Sequence, residues 1–497
     1  MTLADLILNG RCTGIDILVI SSDSACSSSN HWTSLENSAT NAWNVNFSSG
    51  QLNNNNNKNN SNVVRAVVAL SDQVKIEWIA AFEDCCRHKM STLQCTLYRL
   101  RMEDDLFLLA YEVYSDTYEI GISVTFCVTV PKLREIFAAD FRDRIVQHWI
   151  IMRLNPFFER RFVSQGNVSY NCREGFGTQA AVLRVQEEII RMSENYTIPT
   201  YIGIMDISSF FMTIDREVTW QFLEPFIREN AEEIVEMYPG TDIEVLIRVT
   251  KQTIMNNPQD NCVKRGDMDL WDQLISKDPS KSFFSNPPGQ GVPIGNITSQ
   301  IIANFLLSFL DEFIIELCKR VVAIHIRFVD DIAVIARRPE DIVWIRGEVA
   351  KYMITVLHQK LHDYKFYLQE VHKGGKFVGT MIKPGRLYTS NRTLGHFRAK
   401  VELVESVCTS IVLEGITLSK AAELDHLLLG INSYFGFTCH TASFNQRMAI
   451  FYDQTYFWKV CYLVNARKAK IRKKYKLSTF LIQQEYEEYR NSQAFGA

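Results

Sequence analysis

The stretch Arg327-Phe328-Val329-Asp330-Asp331-Ile332 constrains this chain more than any other. It is preceded by Val321-Val322-Ala323-Ile324-His325-Ile326 and followed by Ile332-Ala333-Val334-Ile335-Ala336, both β-branched and apolar, so the pattern is strand, acidic turn, strand. A buried hairpin with two adjacent carboxylates at its tip is therefore expected. Like charges so placed repel and are costly to desolvate, and a divalent cation is the economical counter-charge. A lone Asp-Asp pair is ordinarily a solvated turn; here upstream residues offer it partners.

Tyr201-Ile202-Gly203-Ile204-Met205-Asp206 reads as an apolar strand ending in a single carboxylate. Taken alone, Asp206 is equally a helix cap. In one sheet with Asp330 and Asp331, it would complete a cluster able to bridge two magnesium ions roughly 3.5–4 Å apart. Phe211, five residues on, would then stand beside a bound nucleotide's sugar and leave no room for a 2′-hydroxyl, unless it is simply a core phenylalanine. The Pro/Gly-rich loop from Pro287 to Gln300 leads into a long apolar helix expected over Ile301 to Cys318. Gly295 in that loop would allow a base pair or phosphate to approach the backbone closely.

Further cations and turns punctuate the chain. A strand from Ser123 to Val130, followed by Lys132 and Arg134, would present two cations to a polyphosphate, although such residues are more often a solvated strand edge. A helix is expected from Phe137 to Ile151, and a turn at Gly175 and Gly177 before another helix from Gln179. Lys365 precedes a second turn-and-strand unit, Gly374-Gly375-Lys376-Phe377-Val378-Gly379. Beyond Asn391 the pattern is mainly helical, and the run from Arg467 to Lys476 reads as a basic helix face, of the kind that tracks a duplex backbone when it is not merely solvated.

Composition excludes more than it reveals. The net charge of −3 over 497 residues announces no global nucleic-acid affinity, so any basic surface is local. The 12 cysteines show neither C-x-x-C spacing nor matching histidines, which argues against zinc and a disulfide framework and suits a reducing cytoplasm. The longest apolar run, Phe305 to Leu317, is broken by Asp311, Glu312 and Glu316, so no membrane span is expected, and the N-terminus lacks the basic region of a signal peptide.

In order and spacing, Asp206, the loop Val292-Pro293-Ile294-Gly295-Asn296-Ile297-Thr298-Ser299-Gln300 and Phe328-Val329-Asp330-Asp331 resemble the palm motifs of reverse transcriptases. The resemblance covers about Val74 to Lys476. It takes in the fingers segments around Lys132, Arg134 and Asp143-Arg144 and the stretch from Ser169 to Gly177. Lys365 and Phe377-Val378-Gly379 look like later palm motifs, and Asn432-Ser433-Tyr434-Phe435-Gly436 looks like the thumb of bacterial, group II intron-like members. Ile294 stands where retroviral and intron enzymes usually carry glutamine, Ser299-Gln300 where intron enzymes carry Ser-Pro, and Phe328 where tyrosine is commonest. These departures resemble the reverse transcriptases of diversity-generating retroelements. The Ile and Ser-Gln features also occur among bacterial defence reverse transcriptases.

The resemblance implies an α+β, right-hand fold of fingers, palm and thumb, with an antiparallel palm sheet packed on helices. It implies an RNA-directed DNA polymerase in which Asp206, Asp330 and the backbone carbonyl of Ile207 hold two magnesium ions, with Asp331 supporting or sharing ligation. Lys132 and Arg134 would clamp the triphosphate, Phe211 would exclude ribonucleotides, Ile294 would lie against the templating base pair, and Lys365 would protonate pyrophosphate. Expected partners are template RNA, the DNA/cDNA primer-template duplex, dNTPs and a small basic accessory protein. Residues 1–73 form an Asn-rich tract that resembles a translated template repeat, 74–390 the fingers and palm, and 391–497 a helical thumb. An anti-phage defence polymerase and a catalytically idle RNA-binding scaffold are the alternatives.

Overall fold

The computed structural model describes residues 71–464 apart from 88, 91, 130 and 131, residues 470–474, and the strands Ile15–Ile17, Asn30–Glu36, Asn41–Asn46, Gln51–Asn57 and Val68–Leu70. It divides into two units of mixed helix and sheet. The first comprises Met1–Ser164, Ser209–Phe309 and Thr355–Gln359; the second comprises Gln165–Ser208, Leu310–Ile354 and Lys360–Ala497. No helix among the described residues is long and apolar enough to cross a membrane.

The first unit is built on helices whose starts are written in their caps. Ser71 Oγ accepts the Val74 N–H ahead of helix Asp72–Cys86, and Asp242 Oδ1 accepts the Glu244 and Val245 N–H groups ahead of helix Ile243–Met255. Their apolar faces meet helix Phe141–Ser164 in a core where Trp78 stacks on Trp149 at 5.3 Å and Phe158 on Phe305 at 4.5 Å. Strand Ser123–Val128 pairs antiparallel with Arg134–Ala138 and parallel with Cys262–Lys264. Phe137 and Ala138, expected to open a helix, instead close that strand. Phe137 pairs with Thr125, and the helix starts only at Phe141, after Asp140 Oδ1 accepts the Arg142 N–H. In the Asn-rich tract, Asn30–Glu36, Asn41–Asn46 and Gln51–Asn57 form a three-stranded antiparallel sheet, and Ile15–Ile17 pairs antiparallel with Val68–Leu70; residues 1–14, 18–29, 37–40, 47–50 and 58–67 of that tract lie outside the described residues.

The second unit is organised around a four-stranded antiparallel sheet in the order Ala323–Phe328, Asp331–Ala336, Tyr201–Asp206, Tyr367–Glu370. Alternation along the strands gives it two faces. Ile202, Ile326, Ala333 and Ile335 share a core with Ala181, Val182, Val185 and Ile189 of helix Thr178–Met192. On the opposite face Gly203 lies under helix Pro339–Thr355, so close that a Cβ there would stand 2.3 Å from Ile342 Cγ2. Helices Asn391–Glu414 and Leu418–Thr438 follow, joined by Phe397, Val401, Ile431 and Phe435. The basic run is not helical where it is described. Ile471–Lys473 is a strand paired with Cys461–Leu463, held because Ile471 is buried and its backbone N–H and C=O are both taken by the Asn432 side chain, at 2.7 and 3.1 Å. Arg467, Lys468, Tyr475 and Lys476 lie outside the described residues.

The close helix approach gives a direct check. Ile342 is β-branched and stiff, so Gly203→Ala is expected to cost about 1–3 kcal/mol through overpacking, read as a lower urea midpoint; an unchanged midpoint would show that the helix yields.

Candidate active site

The end of the second unit's sheet gathers acidic side chains by register alone. Asp331 opens its strand directly opposite Asp206, the last residue of the neighbouring strand, and Asp330 precedes it in the two-residue connection from Phe328. Both paired aspartates continue the row that carries Ile204 and Ala333, past the point where the apolar core ends. Like charges directly opposite each other on a sheet destabilise it unless something positive intervenes. Here Lys365 supplies the charge, its Nζ donating to Asp206 Oδ2. Backbone bonds hold the chain beyond Asp206 in place: Asp206 O accepts the His362 N–H at 2.8 Å, and Ile207 is bridged to Leu361.

Oxygen-only donors suit a hard divalent cation such as magnesium, and the opposed carboxylates present that chemistry. Among the described residues, however, no three His, Cys, Asp or Glu side chains converge closely enough to form a ready-made metal site. The register pairs two of the three predicted carboxylate ligands, Asp206 and Asp331, and leaves the third, Asp330, in the turn.

Behind the carboxylates lies a buried ionic cluster. Arg327 and His325 point to the opposite face of the sheet, where Asp311 of helix Ile297–Arg320 receives them. Arg327 Nε lies 2.9 and 3.0 Å from the two Asp311 oxygens and Nη2 2.6 Å from Oδ2, while His325 Nε2 is 3.1 Å from Oδ1. Asp311 and Arg327 are both 0% exposed. Burial alone would push the Asp311 carboxyl up, but the Arg327 charge and the His325 and Arg327 hydrogen bonds override it and hold the group down at about 2. The remaining Arg327 nitrogen, Nη1, turns back to the hairpin and donates to Val329 O at 3.2 Å.

The sequence matches no protein-family model and no curated protein. Solved structures do resemble it. Telomerases are among them. Apo telomerase from Candida tropicalis truncated from its C-terminal domain is 11% identical with a TM-score of 0.38, covering 54% of this chain and 55% of that one. Apo telomerase from the same organism is 11% identical with a TM-score of 0.39, covering 67% and 59%. Telomerase from Candida albicans in complex with a TWJ fragment of telomeric RNA is 11% identical with a TM-score of 0.38, covering 72% and 62%. The chain spans 55–62% of the length of these three structures. Likenesses this distant assign neither activity nor partner.

The other sequence-derived candidates belong to the first unit. Lys132 and Arg134 are exposed at the start of strand Arg134–Ala138, and Phe211, half-buried, contacts Phe210 at 5.0 Å. Phe211 O accepts the Val292 N–H at 2.8 Å and Ile294 O accepts the Phe137 N–H at 2.9 Å, so the loop is stitched to both neighbours. Ile294 packs on Phe137, Met212 and Phe283. Gly295 has φ +127°, and a Cβ there would meet Phe137 O at 2.7 Å, so this position requires glycine for a close backbone approach within the unit itself.

Sequence reasoning used Asp311 only as an interruption of an apolar run and gave Arg327 no role. The available signal was a carboxylate flanked by Leu310, Ile314 and Leu317, residues that the helical period buries together. Because the folded-state group titrates below its unfolded value, Asp311 contributes stability that is complete above about pH 4 and is lost as pH falls towards about 2. Asp311→Asn strands a buried guanidinium and is expected to cost about 3–5 kcal/mol at pH 7, with the gap to wild type narrowing between pH 4 and 2. Chemical unfolding across that range checks the sign; a gap independent of pH would contradict it.

Proposed function

We propose that the chain is an RNA-directed DNA polymerase whose reaction centre is the Asp206, Asp330 and Asp331 set. The observation that carries this reading is the antiparallel register that sets Asp331 opposite Asp206 with Asp330 one residue away. Asp206, Asp330 and Asp331, with the Ile207 carbonyl, would hold magnesium, which when bound lowers the pKa of the primer 3′-hydroxyl and neutralises the triphosphate. In the reaction the primer 3′-oxygen forms a bond to the α-phosphorus of a dNTP, the α–β P–O bond breaks, and pyrophosphate leaves. Lys365, which neutralises Asp206 here, would give that leaving group a proton. Lys132 and Arg134 would bind the triphosphate, and Phe211 would exclude the ribose 2′-hydroxyl. Template RNA, a primer-template duplex and a small basic accessory protein are the partners this reading requires, in an arrangement of fingers, palm and thumb.

The finer reading is a diversity-generating retroelement. Its support lies in Ile294, Ser299-Gln300, Phe328 and the Asn-rich tract from Asn53 to Asn62, since asparagine codons begin with two adenines and these systems mutate at adenine. The Lys365–Asp206 ion pair favours one second reading, an idle RNA-binding scaffold whose carboxylates need only a fixed counter-charge.

Primer extension on an RNA template with magnesium and dNTPs separates them. The wild-type chain is expected to extend the primer, with errors concentrated opposite template adenines, and Asp330→Asn with Asp331→Asn to abolish extension without lowering the melting temperature. Extension retained by the double variant would remove these carboxylates from the chemistry. RNA binding without extension by the wild type would favour the scaffold.

A further inference from the structure

The geometry points to Asn171, Arg327 and Asp311 as positioning residues for the Asp330–Asp331 turn, which they hold by fixing Val329 in a left-handed backbone conformation. The inference deepens the polymerase reading and rests on it for its kinetic consequence. Val329 has φ +57°, and the φ of Asp330 is not positive. In a two-residue hairpin connection, positive φ at the first position alone is the type II′ pattern, a place that favours glycine. A β-branched valine occupies it against its own preference, and such a conformation persists only where the surroundings over-determine it.

The surroundings do so from both sides of one residue. Asn171 Oδ1 accepts the Val329 N–H at 3.0 Å, and Arg327 Nη1 donates to Val329 O at 3.2 Å. Neither partner is loose. Arg327 is clamped by both oxygens of Asp311, and Asn171 is 5% exposed in a segment that pairs with the hairpin's edge strand. There Arg327 N–H donates to Val168 O at 2.8 Å and Tyr170 N–H to Arg327 O at 3.0 Å. Arg173, itself buried, braces the same segment through Ser169 O at 2.7 Å and Asn167 Oδ1 at 2.8 Å.

If Val329 relaxed to negative φ, the two-residue connection would become a type I or II turn, whose twist splays the strands that bring Phe328 onto Asp331. The register that sets Asp331 opposite Asp206 would then be lost. None of the three residues needs to touch substrate for this to govern the reaction, because misplacing a reacting group costs rate rather than binding.

The test uses the full-length chain with Asn171→Ala, Asn171→Asp and the pair Asn171→Ala with Val329→Gly. In the metal-free protein, Asn171→Ala should speed amide exchange across residues 328–332 while exchange in helix Thr178–Met192 stays as in the wild type. In single-turnover extension it should lower the maximal rate about tenfold or more with the apparent dNTP affinity changed less than about threefold. Asn171→Asp keeps the acceptor oxygen and should keep most of the rate, which guards against a variant that merely misfolds. Adding Val329→Gly to Asn171→Ala should restore much of the loss, since glycine adopts positive φ without help. Unchanged exchange at the turn, or a rate loss that glycine does not relieve, would overturn the proposal. A wild-type chain that extends no primer would instead defeat the polymerase reading, and the exchange measurement would still decide whether the network holds the turn.

Discussion

The bidentate pair between Asp311 and Arg327 is the constraint on which the placement of the second unit's rim carboxylates depends. Two full charges with no solvent exposure gain little net stability over a well-fitted apolar pair, because desolvation consumes most of their attraction. What such a pair does supply is uniqueness of arrangement. It fixes one end of the hairpin strand to helix Ile297–Arg320 and leaves Arg327 with one nitrogen aimed at the turn. Slipping the hairpin by one residue would move Arg327 to the other face and strand Asp311, so the ion pair and the carboxylate register stand or fall together.

The sheet is thereby asymmetric in a useful way. One face carries an apolar row against helix Thr178–Met192 that ends in Asp206 and Asp331; the other carries Gly203, His325 and Arg327 against helices and buried charge. Opposed carboxylates at the rim would repel, and the structure answers with Lys365. A lysine is a compact, mobile counter-charge, well suited to yielding its place to a cation that binds both aspartates. On the proposed reading the resting ion pair and the working metal site are alternative solutions to one electrostatic problem.

Much of this was legible in the sequence, because the strands alternate or run apolar and end at carboxylates. The strand ending at Asp206 has the bounds its pattern implies, whereas the hairpin starts at Ala323 rather than Val321 and draws Asp331 out of the turn into its second strand, leaving Asp330 alone at the tip. Contacts distant in sequence were not legible. Asp311 looked like a break in an apolar helix, and Asn171 like part of an ordinary loop, since nothing local announces that its side chain meets Val329 158 residues away. Tertiary pairing also overrode local pattern at Phe137, drawn into a strand by Thr125, and at Ile471, whose backbone is captured by Asn432 inside a run that charge alone marks as an exposed helix face. The register of Asp331 on Asp206 required both strands' ends to be placed to the residue, which apolar periodicity suggests and the hairpin turn decides.

Crystals of the full chain soaked in manganese, which scatters anomalously and accepts the same oxygen ligands as magnesium, would test the central claim most directly. The account predicts an anomalous peak held by the carboxylates of Asp206 and of the Asp330–Asp331 pair, with Lys365 withdrawn from Asp206. Absence of that peak, with Lys365 still on Asp206 under saturating manganese, would contradict it.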